Sequence, residues 1–310
     1  MTKPSFVTAA DTFVAWRDTV LTGNPPILYP VADGSITLSR LEIGPGLVTL
    51  IGGAPGGGKT AFTMQIVVDA LRLTESLRVV VCNVEMTPAV LLDRQLARLS
   101  GIDLDVIRHR KFTPEHSENL TLALAKLEEI SDRMAFCNPP FDLRNVAATA
   151  DQFGAGLIVL DYIQRIAPPG GDHGDRRGSV DACMNFIRQF ADAEVAVVVV
   201  AAVSRTKDKK GRSSYDPEGL NLASFRESSE LEFGADDAFM LCRTSANNVL
   251  LRHLKARHSE CRDHCLEFNG ALQRFKSNEW PIPRVGMGLP GGGFDVKALL
   301  AQSEDCEASP

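Results

Sequence analysis

The residues able to do chemistry sit in a few short stretches. The segment "IGGAPGGGKT", Ile51 to Thr60, packs five glycines and one lysine into ten residues. Gly53-Ala54-Pro55-Gly56-Gly57-Gly58-Lys59-Thr60 satisfies the pattern G-x-x-x-x-G-K-[ST] in full. Such a loop lets backbone N–H groups converge on phosphate oxygens, and the helix that follows adds partial positive charge at its N-terminus. Lys59 is expected to reach the β and γ phosphates, and the Thr60 hydroxyl to hold Mg²⁺. A nucleoside triphosphate, ATP, is therefore expected on the run from Gly53 to Ala61.

Two carboxylates complete that chemistry. Asp161 follows "LIVL" at a strand end, where it can reach the Mg²⁺ water shell beside the loop. Glu85 ends a second strand in "CNVEM", where it can orient and deprotonate an attacking water. Lys255 and Arg257 end "LLRHLKAR"; alternation puts both on one face of a strand. By themselves they suit a solvated basic edge strand better. "RHSECRDHCLEF" gathers His258, Cys261, His264 and Cys265 at a spacing unusual for zinc, on a hairpin that would split them between faces.

Two loops carry positive charge. "SRTKDKKGRSSY" holds Arg205, Lys207, Lys209, Lys210 and Arg212 after the fifth strand. "PPGGDHGDRRGS" holds Arg176 and Arg177 after the fourth. Both lie at the C-terminal edge expected to be functional in such a sheet, and they are expected to contact the phosphates of single-stranded DNA.

These residues need a scaffold. With 310 residues and 44% hydrophobic content, the chain can bury one large core. A net charge of -6 confines any nucleic-acid site to a local basic patch. The longest apolar run, Val195 to Val203, is nine residues, too short to span a bilayer. The N-terminus has no apolar signal core, and a soluble, cytoplasmic chain without a membrane partner is expected. Seven scattered cysteines suggest reduced thiols.

Apolar strands alternate with helices from Leu47 onward. "LVTLIGG" leads into a helix from Lys59 to Leu73, and "RVVVCNVE" into one opening at Thr87-Pro88. A helix from Thr113-Pro114 to about Ile130 follows, then the strand "RMAFCNP" and a helix from Asp142 to Phe153. "LIVLDYI", a helix from Gly178 to Ala193, and "VAVVVVAAV" complete the series. The pattern predicts a mostly parallel central sheet flanked by helices. "DAFMLC", "NVLLRHLKAR" and "CLEFNGALQRF" predict an antiparallel C-terminal extension. Residues 1–30 are expected to form an N-terminal arm. A helix from Val7 to Leu21 carries Phe13, Trp16 and Val20 as an apolar stripe that a neighbouring subunit could bury. The ATPase domain is expected over 31–285, with a disordered acidic tail over 286–310.

In this order the chain resembles the RecA-like ATPase domain of DnaB-family replicative helicases, from about Ser35 to Lys276. The P-loop, "NVEM" before a helix, "GLIVLDYIQRI", "SFRESSELEFGADDAFML" and "LKARHSECRDHCLEFNGALQRF" carry the resemblance. The resemblance implies a RecA-like P-loop fold, with Lys59 and Thr60 on nucleotide and Mg²⁺. It makes Glu85 the catalytic glutamate and Asp161 the second-motif aspartate. Lys255 and Arg257 match the basic pair inserted into the neighbouring subunit's nucleotide. The Val7 to Leu21 helix takes the place of the linker helix that docks on the next subunit. A hexameric ring acting on single-stranded DNA, with replication proteins as possible partners, is implied.

The chain also departs from the family pattern. "AAVSRTK" stands where a Ser-Gln-Leu phosphate sensor is usual, leaving Ser204 or Arg205 as its substitute. Ser229 replaces a glycine, and the chain is expected to lack the helical primase-contacting N-terminal domain. The alternative is a RecA/KaiC-like ATPase that switches a protein partner without unwinding DNA. The basic loops favour the helicase or translocase.

Overall fold

Strands built of consecutive valines need apolar cover on both faces. That cover is present in the computed structural model, which describes residues 6–31, 38–169, 176–203, 206–207, 213–214, 222–225 and 229–277. Contacts divide the chain into two units, residues 1–27 with 281–310, and residues 28–280.

The described part of the first unit is dominated by α1 (Ala9–Thr22). Thr8 and Asp11 form a reciprocal capping box at its start, and Gly23, at φ 68°, closes it in the left-handed conformation. The Phe13 and Trp16 rings lie 5.7 Å apart, and both are exposed, as is Val20.

The second unit follows the predicted alternation. Its elements begin with β1 (Val48–Gly53), α2 (Lys59–Leu73), β2 (Val79–Asn83), α3 (Pro88–Ser100), α4 (Leu104–Arg108) and α5 (Ser117–Ser131). Next come β3 (Met134–Phe136), α6 (Leu143–Phe153), β4 (Leu157–Asp161), α7 (Arg176–Asp192) and β5 (Ala196–Ala202). After β6 (Thr206–Lys207), β7 (Ser213–Ser214) and α8 (Ser229–Gly234), the chain ends its described part with β8 (Asp237–Arg243), β9 (Asn248–Ala256), β10 (His264–Asn269) and β11 (Arg274–Ser277). The large sheet has the order β11-β10-β9-β8-β1-β5-β4-β2-β3. Successive side chains feed opposite cores. Ile51, Val79 and Val81 join Phe62 and Leu71 on one face, while Leu50, Val80 and Ile158 join Met184 and Ile187 on the other.

Several expectations are corrected. "DAFMLC" is not part of the antiparallel extension: β8 pairs parallel to β1, with Thr49 opposite Asp237. Helix α8 lies between β5 and β8 and provides the kind of crossover a parallel strand requires. The antiparallel part starts at β9. Helix α7 begins at Arg176, so Arg176 and Arg177 belong to its first turn and not to the preceding loop. The helix expected from Thr113 opens as a 3₁₀ turn, Pro114–His116, before α5. The short α4 had no signal strong enough to read.

The expected basic loop after β5 contains a small antiparallel ribbon, β6 with β7, which places Lys207 opposite Ser213. Arg205, Lys209, Lys210 and Arg212 lie outside the described residues, as do Ser204 and the expected tail. His264 is buried while Cys265 is exposed, so strand alternation separates them. Among the described residues, no helix is long and apolar enough to cross a membrane.

Candidate active site

Parallel strands deliver their loops to one edge of the sheet, and here Lys59, Thr60, Glu85 and Asp161 meet there. The chain leaves β1 through Gly53 and enters α2 at Lys59, with Gly58 as the cap residue. Gly58 has φ 90°, and a Cβ there would lie 2.9 Å from Phe275 Cζ. Glycine is thus required both by conformation and by the ring above it. A Cβ on Gly57 would come within 2.9 Å of the Ala54 carbonyl oxygen. The loop is therefore a bare backbone cradle whose space side chains would fill.

Lys59 Nζ donates to the carbonyls of Gly53 at 2.8 Å and Ala54 at 3.1 Å. Burial lowers its pKa, while the charges of Asp161 and Glu85 favour the ammonium. Asp161, 5% exposed, ends β4. Burial raises its pKa, opposed by the hydrogen bond from the Thr60 side chain and by Lys59. Glu85 lies just beyond β2 and is exposed, with its backbone N–H bonded to Asn83. A hydroxyl, a carboxylate and an ammonium at one glycine-rich helix start fit a phosphate with Mg²⁺. Thr60 and Asp161 would hold the metal.

These groups line a cavity of about 380 Å³ with Gly56, Gly57, Met86, Arg94 and Tyr162. Ala202 from the end of β5 also borders it. Two further lining residues, Phe268 and Gln273, come from the β10–β11 hairpin. That hairpin is fastened to α2 by Gln65, whose amide donates to Phe275 O at 2.9 Å and accepts from Phe275 N at 2.8 Å. Phe275 also packs edge-on against Phe62 and stacks on Phe268, with centroids 5.2 and 4.3 Å apart. Each such aromatic pair contributes about 0.5–1.5 kcal/mol beyond its buried area.

Arg94, Asn83, Phe268 and Gln273 carried no role in the sequence. Arg94 lies nine positions after Glu85 on α3 and becomes a site residue only when that helix packs over the sheet edge. Burial lowers its pKa, and the nearby Asp161 charge opposes the shift. Gln164 was visible only as part of "DYIQ". Its amide pairs with Ala202, donating to O and accepting from N, both at 3.1 Å. It ties the turn after β4 to the end of β5.

Lys255 and Arg257 are not in this cluster. Lys255 Nζ donates to the carbonyls of Phe233 and Ala235. Arg257 pairs with Asp236 and donates to Phe233 O. Ala256 is opposite Asp237, and Asp237 opposite Thr49, so the pair sits at the start of β8 and β1. Gly53, where the P-loop begins, is four residues further along. At about 3.3 Å per residue that is roughly 13 Å, toward the opposite edge of the sheet.

The chain is similar to known proteins. The family model for the DnaB-like helicase C terminal domain matches residues 42–277. Replicative DNA helicase DnaB of Geobacillus stearothermophilus is 26% identical over 208 residues, 64% of this chain and 43% of that protein. A probable plasmid replicative DNA helicase of Chlamydia trachomatis is 22% identical over 260 residues, 80% of this chain and 54% of that protein. The chain thus spans about half the length of the curated relatives it matches. A separately solved ATPase domain superposes with TM-score 0.75 at 20% identity, covering 89% of this chain and 100% of that domain. A DnaB-like replicative helicase solved with its primase interactions gives TM-score 0.73 at 20% identity, over 90% of this chain and 69% of that one.

Proposed function

We propose that this chain, which belongs to the DnaB-like helicase C-terminal domain family, is an ATP-driven motor that translocates on single-stranded DNA as a ring and separates duplex strands. The observation that carries this reading is the convergence of Lys59, Thr60, Glu85, Asp161 and Arg94 on one cavity. Lys59 and the loop amides would bind and orient the phosphates of ATP. Glu85 would take the proton from an attacking water. Mg²⁺ held by Thr60 and Asp161 would supply charge neutralisation on the phosphates.

The ring is supported by where Arg257 lies. Set at the sheet edge away from its own P-loop, it suits the site of a neighbour, where an arginine finger can be worth about 10³–10⁵ in rate. Lys255 would accompany it. A six-membered ring follows the family. The exposed stripe of α1 would dock on the next subunit. An apolar groove of about 670 Å³ between α3 and α5, lined by Leu92, Leu96, Phe112, Leu120, Leu124 and Leu127, offers it a seat. In this reading residues 1–30 are an arm and 31–285 the motor, acting in the cytoplasm with other replication proteins. Lys207 on the β6–β7 ribbon, and Arg205, Lys209, Lys210 and Arg212 near it in sequence, would track DNA phosphates, as would Arg176 and Arg177.

The test is strand displacement from a forked DNA duplex with ATP and Mg²⁺. Displacement by the parent chain and none by Lys59→Ala is expected. Hydrolysis without displacement under any fork geometry would transfer support to the protein-switch alternative.

A further inference from the structure

Asn83 is the last residue of β2, is buried, and bonds both to the Asp161 carboxylate and to the backbone of Glu85. One atom of its amide accepts from two backbone N–H groups, Glu85 at 3.0 Å and Met86 at 2.8 Å. Only the oxygen can accept, so the orientation of the amide follows from its partners. The other atom is therefore Nδ2, and it donates to Asp161 Oδ2 at 2.8 Å. The main chain repeats the link: Asn83 is opposite Asp161 in the β2–β4 register, and Val84 N–H donates to Asp161 O at 2.9 Å.

We propose that Asn83 is a positioning residue, whose single amide sets the Asp161 carboxylate and the Glu85 backbone in fixed relation. The inference rests on the assignment of Glu85 and Asp161 to ATP hydrolysis. The physical need is specific. Glu85 lies on the turn after β2, where the strand ladder no longer holds its N–H. Asn83 Oδ1 takes that N–H and the next one. Asp161, buried beside it, receives that donor at Oδ2, while its carboxylate also takes a hydrogen bond from the Thr60 side chain. An amide does both, because it carries a donor and an acceptor on one rigid plane. Serine is too short to span both partners, and a carboxylate would set like charges face to face. A misplacement of about 1 Å at a reacting group can cost on the order of 10²-fold in rate.

The test compares Asn83→Ala and Asn83→Asp with the parent and with Glu85→Gln, measuring kcat, KM and equilibrium ATP affinity. Asn83→Ala removes both ends of the link. Asn83→Asp keeps the shape and the acceptor toward Glu85 but loses the donor toward Asp161. Both are expected to lose at least about tenfold in kcat, with KM and ATP affinity within about threefold of the parent. Parental kcat in both variants overturns the inference. So does a raised KM at unchanged kcat, which would mark general binding and not positioning. If Asn83→Ala does not fold, the isosteric Asn83→Asp decides: parental kcat overturns the inference, and lost kcat at unchanged KM supports it. A parent without ATPase activity, or a Glu85→Gln variant as active as the parent, overturns the site assignment instead. An active parent and inactive Glu85→Gln beside fully active Asn83 variants overturn this inference alone.

Discussion

Arg257 donates to Asp236 Oδ1 at 2.6 Å, at the end of the sheet remote from its own P-loop. Asp236 is 2% exposed, and its other oxygen accepts from Val48 N–H and from Arg188, both at 2.8 Å. A buried carboxylate shared between two guanidiniums and the first amide of β1 is a rigid mount. If Arg257 is removed, Asp236 keeps Arg188 and the Val48 amide as partners. Arg257 itself remains 41% exposed at the side chain, so its mount does not enclose it.

The first prediction follows from that placement. Arg257→Ala and Lys59→Ala should each abolish ATP turnover, and mixing the two inactive proteins should partly restore it. Mixed rings contain interfaces with an intact P-loop facing an intact Arg257. Absence of recovery in oligomers shown to be mixed would contradict a finger acting between subunits.

Glu85→Gln should bind ATP with Mg²⁺ and hydrolyse it about 10²-fold more slowly or worse, as loss of a general base requires. Single-turnover hydrolysis with separately measured nucleotide affinity checks this. Lost ATP binding with unchanged turnover of bound ATP would make Glu85 structural.

Asp161 yields a prediction about stability against pH. Burial raises its pKa in the folded chain. A carboxyl with a raised folded pKa stabilises the fold below its unfolded pKa, and this contribution is lost as pH rises through the folded value. At neutral pH in EDTA, Asp161→Asn should therefore melt at a higher temperature than the parent while being inactive. The difference should shrink as pH falls through the carboxylate range. A lower melting temperature at neutral pH would contradict a burial cost at this position.

Neutralising Lys207, Lys209, Lys210 and Arg212 together should weaken single-stranded DNA binding irrespective of base sequence. The slope of log affinity against log salt should also flatten, by about 0.7 for each DNA phosphate no longer neutralised. Fluorescence anisotropy over a salt series measures both. Unchanged affinity and slope would remove these residues from the DNA site.

Much of the architecture was legible because it depends on local signals. The apolar runs of β2, β4 and β5 could only be strands buried on both faces. Pro88 after Thr87 marked a helix start. Glu85 and Asp161 were readable as acids at strand ends, and Lys59 and Thr60 as parts of a contiguous motif. The direction of β8 was not legible, since it depends on how the intervening α8 carries the chain back to the sheet. Arg94, Phe268 and Gln273 join the site only through packing of α3 and the β10–β11 hairpin. Asn83 lay in plain view in "NVEM", but its role depends on a cross-strand partner 78 residues away.

Hydrolysis at this P-loop is proposed to drive movement along DNA. The most direct measurement is the steady-state ATPase rate of the purified chain with Mg²⁺, with and without single-stranded DNA, beside Lys59→Ala. Turnover should rise when single-stranded DNA is added and vanish in Lys59→Ala. An equal rate in Lys59→Ala, or turnover indifferent to DNA at every concentration that binds it, would rule out a DNA-driven motor at this P-loop.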